Sequence, residues 1–124
     1  MTVMPYDERL ADRVREYLIE TTDEEITEKP MFGGLAFLVN GKMCINISSN
    51  KLMCRFDPER TLELSEKLGF EPMVMRGKSL QGYGLINLEG YTNPNDFEFW
   101  MRVSLDFNPV AETSKKSGKR KVIK

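Results

Sequence analysis

The stretch EKPMFGGLAFLVNGKMCINISSNKLMCRF, residues 28–56, decides the fold. Its apolar residues abandon the helical period of the preceding segment and come in short runs separated by turn residues, as strands require. Asn40-Gly41 stands between two such runs. Both central positions of a type I′ turn need positive φ, which Asn and Gly tolerate best, so a tight hairpin is predicted here. Ser49-Asn50 reads as a second tight turn, and Gly33-Gly34 interrupts the first strand either as a bulge or as a further turn.

The two turns imply registers. If Ser49-Asn50 is a two-residue turn, Ser48 lies opposite Lys51, and one face collects Met43, Ile45, Ile47, Leu52, Cys54 and Phe56. The other face takes Cys44, Asn46, Ser48, Lys51, Met53 and Arg55. A slip of one residue would mix apolar and polar sets, so the pattern selects this pairing. It places the two cysteines on opposite faces, where no disulfide closes, and predicts two free thiols. Extending the same logic across Asn40-Gly41 puts Ala36 and Leu38 beside Ile45 and Met43. Leu35, Phe37 and Val39 then fall on the second face with Cys44 and Met53. An uncovered second face of that kind would be an apolar patch, the usual mark of an interface. The alternative is that a helix of the same chain covers it.

Outward from this core, Asp7 is a plausible N-cap for a helix running to about Thr21, with Leu10, Val14, Tyr17 and Leu18 along one side. Asp57-Pro58 opens a second helix, closed by Gly69. Strands are expected near residues 73–76 and 80–88. The last element is ambiguous. Between 97 and 107 the odd positions are Phe97, Phe99, Met101, Val103, Leu105 and Phe107, a strict alternation that favours a strand. Asn93-Pro94 before it has the form of a helix start.

The chain has 124 residues, 40% apolar and 30% charged, enough for one core and too few for two. No apolar run reaches the ~20 residues of a membrane-spanning helix, and acids stand where a signal peptide would carry lysines, so a cytoplasmic protein is expected. There is no histidine. That removes Ser-His-Asp and Cys-His pairs and imidazole-ligated metals. The two distant cysteines make no zinc site. Gly77-Lys78-Ser79 resembles the end of a phosphate-binding loop, but Pro72 occupies the position of its first glycine and a strand follows, not a helix. Gly82-Tyr83-Gly84 likewise lacks the helix start of a dinucleotide site. Glu59, Glu63, Glu66 and Lys67 read as a solvated helix face. No catalytic, cofactor or metal-ligating residue is expected.

Charge is unevenly spread. Residues 1–114 carry 12 cations and 19 anions, whereas the last ten residues hold six cations and no anion: Lys115, Lys116, Lys119, Arg120, Lys121 and Lys124. Such asymmetry suggests a contact with nucleic acid or with a membrane surface. The competing reading is a disordered, solubilising end. The expected organisation is one domain over residues 1–112 and a basic tail over 113–124.

The run Lys29-Pro30-Met31-Phe32-Gly33-Gly34-Leu35-Ala36-Phe37-Leu38-Val39-Asn40-Gly41-Lys42-Met43-Cys44 resembles the signature of the TfoX/Sxy N-terminal domain family. Tyr6-Asp7-Glu8-Arg9-Leu10-Ala11, Arg55-Phe56-Asp57-Pro58-Glu59-Arg60, Pro72-Met73, Gly77-Lys78 and Gly82-Tyr83 are similar to it in order and spacing. Leu80 departs from the methionine expected before the Gly-Tyr pair. The resemblance implies an α+β domain ordered α-β-β-β-α-β-β-α, a two-layer fold whose five-stranded antiparallel sheet carries helices mainly on one face. It also implies that the last element is a helix. Members named for competence regulation carry a second, C-terminal domain where this chain has its basic tail, so a role in DNA uptake does not carry over.

The expected function is therefore a small cytosolic, non-enzymatic regulatory or protein-interaction domain. Its partner would be another protein or a second copy of the chain, and its interface would include Leu35, Phe37, Val39, Met53 and Trp100. The alternative is a nucleic-acid-associated accessory factor that binds weakly and without sequence preference through the tail. No cofactor and no membrane contact are expected.

Overall fold

A computed structural model describes residues 6–31 and 33–111. The first helix, α1 (Glu8–Thr21), begins where the Asp7 carboxylate accepts hydrogen bonds from the N–H groups of Arg9 and Leu10. Leu10, Ala11, Val14 and Leu18 form its buried side. Four strands follow: β1 (Ile26–Met31), β2 (Gly34–Val39), β3 (Lys42–Ser48) and β4 (Lys51–Arg55). Asp57 then caps a 3₁₀ turn (Pro58–Arg60) that runs into the single-turn helix α2 (Thr61–Leu64). Strands β5 (Phe70–Met75) and β6 (Lys78–Ile86), a short α3 (Leu88–Tyr91), the long α4 (Pro94–Phe107) and a last 3₁₀ turn (Asn108–Val110) complete the fold.

The sheet is antiparallel throughout, in the order β1-β2-β3-β4-β6-β5. It has six strands, not the five expected. The reason is Gly33, whose φ of +73° turns the chain back so that Ile26–Met31 pairs with Gly34–Val39 as a separate strand. The Gly33-Gly34 interruption is thus a turn. Among the described residues there are also four helices where three were expected, because the segment after β6 makes α3 before α4 begins.

Asn40 and Gly41 both adopt positive φ, as a type I′ hairpin requires. Across the Ser49-Asn50 turn, Ser48 pairs with Lys51 and Ile45 with Cys54, the register the hydrophobic pattern selects. The register expected across Asn40-Gly41 holds only at its start. Val39 pairs with Lys42 and Leu38 with Met43, but a bulge then shifts the pairing, so Phe37 meets Ile45 and Leu35 meets Ile47. Cys44 is the extra residue. The bulge lets β2 present Leu35, Phe37 and Val39 to the core containing Ile45 and Ile47, leaving Ala36 and Leu38 on the other face. Burying Phe37 in place of Ala36 removes far more apolar area from water, which favours the shifted pairing.

Helix residues from α1, α2, α3 and α4 all enter this first core, which also holds Cys44 and Cys54. The expectation that the cysteines lie on opposite faces is therefore corrected by the bulge, although both thiols are free and buried. The second face gathers Ala36, Leu38, Met43 and Met53, with Met31, Met73, Tyr83 and Leu85 packed around them, and among the described residues it draws on strand residues alone.

Residues 94–107 are helical despite their alternation. Asn93 accepts a hydrogen bond from Asn95 N–H and Pro94 sits in the first turn. Phe97, Trp100, Met101 and Ser104, at helical spacing, are buried, while Phe99, Leu105 and Phe107 are only partly so.

Candidate functional site

The structure separates the residues expected at an interface. Leu35, Phe37 and Val39 are buried beneath the helices, and Trp100 is enclosed by Phe70 and Phe99 at ring separations of 6.1 and 5.1 Å. Met53 is buried on the opposite face of the sheet. These five side chains do not form an exposed patch. The bulge explains the three from β2, and helical geometry explains Trp100. The basic residues Lys115, Lys116, Lys119, Arg120, Lys121 and Lys124 lie outside the described residues.

Exposed apolar surface appears elsewhere. Leu62 on α2 is 78% exposed, and Val74 and Met75 on β5 are 57% and 46% exposed. Between α2 and the β5–β6 hairpin lies a pocket of about 290 Å³, with Leu62, Phe70, Pro72 and Leu80 in its lining. Val74 pairs with Ser79, which lines the same pocket, whereas Met75, the next residue of β5, faces the other side of the strand. The tip itself is a tight turn at Arg76-Gly77, both at positive φ, and β5 is an edge strand.

A second pocket, of about 240 Å³, shares Gln81 and Tyr83 with the first. Arg55, Phe56, Pro58, Gly82, Phe107 and Val110 complete it. Gly82 makes this wall possible. Its φ is +88°, its N–H donates to the Thr61 hydroxyl at 2.8 Å, and its carbonyl accepts from Phe56 N–H at 2.9 Å. An added Cβ would press on Phe56 O and Pro58 at 3.2 Å. Arg55 is half-buried, with its guanidinium carbon 6.0 Å from the ring centres of both Tyr83 and Phe107.

Arg55, Phe56 and Pro58 are distant in sequence from Gly82 and Tyr83, yet both groups belong to short strings that resemble the same family, and they converge on this one pocket. The family comparison agrees: the TfoX N-terminal domain family matches residues 18–108, well over half of the chain. The chain belongs to that family. No curated protein and no solved structure matches it. In this TfoX N-terminal domain the pocket was missed by reasoning on hydrophobic period, because its residues carry no periodic signal. The available clue was that family-like strings fall where β4 ends at Arg55 and the 3₁₀ turn begins at Pro58, and again at Gly82-Tyr83 in the middle of β6.

The chemistry of the TfoX N-terminal domain is limited among the described residues. No group of three Cys, Asp or Glu side chains is placed to hold a metal ion. Burial pushes the Cys44 thiol up to about 12, with the Arg55 charge opposing the rise, and burial also raises Cys54. Such thiols are poor nucleophiles at neutral pH. Among the described residues no helix is long and apolar enough to cross a membrane.

Proposed function

We propose that this TfoX N-terminal domain is a cytosolic, non-enzymatic regulatory module that works by binding a protein partner or a second copy of itself. The observation that supports it is the exposure of Leu62 and Val74 beside a pocket lined by Phe70, Pro72 and Leu80. A small monomer gains nothing in stability from such side chains in water, whereas a partner that covers them does. The experiment compares the full chain with a Leu62→Glu/Val74→Glu variant, by light scattering at tens of micromolar and by capture of partners from the native host. Both positions are exposed, so the variant should melt within a few degrees of the parent. Loss of the dimer, or of a captured protein, in the variant alone is the expected result. An unchanged mass and an unchanged set of captured proteins would sink the reading. The alternative, nucleic-acid binding through the tail, rests on the six cations of the last ten residues.

A further inference from the structure

Three of the seven arginines among the described residues meet an acid, whereas Arg9, Arg13, Arg55 and Arg76 do not. Arg15 pairs with Asp12 and Glu28, Arg60 with Glu63, and Arg102 with Glu98. Arg55 has no carboxylate among the described residues, although acids outnumber bases 19 to 12 over residues 1–114. Its one protein hydrogen bond there runs from Nη1 to the Met43 carbonyl at 3.2 Å. A guanidinium carries five N–H donors in a planar fork, so most of them have no acceptor among the described residues. Arg55 is half-buried, so its remaining donors are open to water or to a ligand that displaces that water. The side chain lies in a concave site whose remaining walls are mainly apolar: Phe56, Pro58, Tyr83, Phe107 and Val110, with Gln81 at the edge the two pockets share.

We propose that this pocket binds a small organic anion. Its carboxylate or phosphate head is forked by Arg55, and an apolar body about the size of one ring lies against Tyr83, Phe107 and Pro58. The guanidinium supplies the geometry that matches a planar or tetrahedral oxyanion bidentately. The Tyr83 and Phe107 rings flank it, each with its centre 6.0 Å from the guanidinium carbon. The volume of about 240 Å³ limits the body to one ring or a short branched chain. This site adjoins the pocket of the preceding reading through Gln81 and Tyr83, but its cation, Arg55, and its outer walls, Phe107 and Val110, line the second pocket alone.

The test is an amide-detected NMR titration of the full chain with phenylacetate, phenyl phosphate and the uncharged phenylacetamide. Saturable shifts at Gln81, Gly82 and Tyr83 are expected with an anion, at a Kd of about a millimolar for ligands of this size. The neutral amide should give none. Preference for phenylacetate or phenyl phosphate identifies the head group as carboxylate or phosphate. Arg55→Lys keeps the charge and loses the fork, so affinity should fall at least about tenfold. Because Arg55 also joins β4 to β3 and the end of α4, Gln81→Glu serves as a second variant: it leaves these contacts alone and adds repulsion at the rim, weakening the anion severalfold. Absence of saturable shifts with either anion, equal shifts with phenylacetamide, or undiminished affinity in both variants overturns the proposal and leaves Arg55 as a structural clip.

Discussion

Cys44 shows how one residue reorganises its surroundings. As the extra residue of the bulge it joins Ile45 in the first core, and burial then suppresses its ionisation, as it does for Cys54. The consequence for stability has a definite sign. A thiol whose pKa is raised on folding binds its proton more tightly in the native state. Its contribution is fully present below the unfolded value and is lost as pH rises from about 9 towards 12. Within that window each buried thiol should add about 1.4 kcal/mol of destabilisation per pH unit. Urea unfolding at pH 7.5 and pH 10 should therefore show a steeper loss in the parent than in a Cys44→Ala/Cys54→Ala variant. At pH 7.5 a thiol reagent should modify the native chain far more slowly than the unfolded one. Rapid modification of the native protein would contradict the burial of both side chains.

At the scale of the element, the β1–β2 hairpin depends on two neighbouring glycines for different reasons. Gly33 needs only its backbone freedom, because a Cβ there would meet nothing within 4 Å. Gly34 lies so close to β3 that a Cβ would sit on the Ile47 carbonyl and crowd Asn46 Oδ1. The buried Asn46 amide, in turn, donates to Met31 O at 3.0 Å and ties the end of β1 to β3. Gly33→Ala should cost about 1 kcal/mol, the penalty for a side chain at positive φ. Gly34→Ala must push β2 away from β3 and should cost about 3 kcal/mol or more. Chemical denaturation of the two variants side by side tests the ordering, and equal losses would show that the close approach at Gly34 relaxes without cost.

The whole molecule combines an acidic body with a basic end. If the last ten residues contact duplex nucleic acid, six cations can release at most about six counterions, a log–log salt slope near −5. A flexible contact uses fewer, so a slope of about −2 to −4 is expected. Phosphate contacts carry no base information, so the affinity should be the same for unrelated sequences. Binding of the full chain and of a variant with Lys115, Lys116, Lys119, Arg120, Lys121 and Lys124 changed to Gln, measured from low to moderate salt, decides the matter. The variant should lose the interaction. Retention of binding would place the contact on the body, against its own charge.

Local chemistry by itself determined much of this domain. Asp7, Asp57 and Asn93 start their helical segments because a side-chain oxygen meets the first free N–H groups within two or three residues. Asn40-Gly41 turns because of its own backbone preferences, and the Ser49-Asn50 register follows from the alternation beside it. What only the tertiary structure decided involves residues distant in sequence. The bulge at Cys44 answers to the volume of Phe37 beneath α1 and α4, and it reversed the assignment of β2 to the two faces. Alternation in residues 97–107 yields to a helix because Phe97, Trp100, Met101 and Ser104 find a sheet to cover. The pocket around Arg55 exists only once β4, β6 and the end of α4 come together. Caps and tight turns are settled within a few residues of chain, whereas the side a strand presents to the core is settled by whichever packing buries the larger side chains.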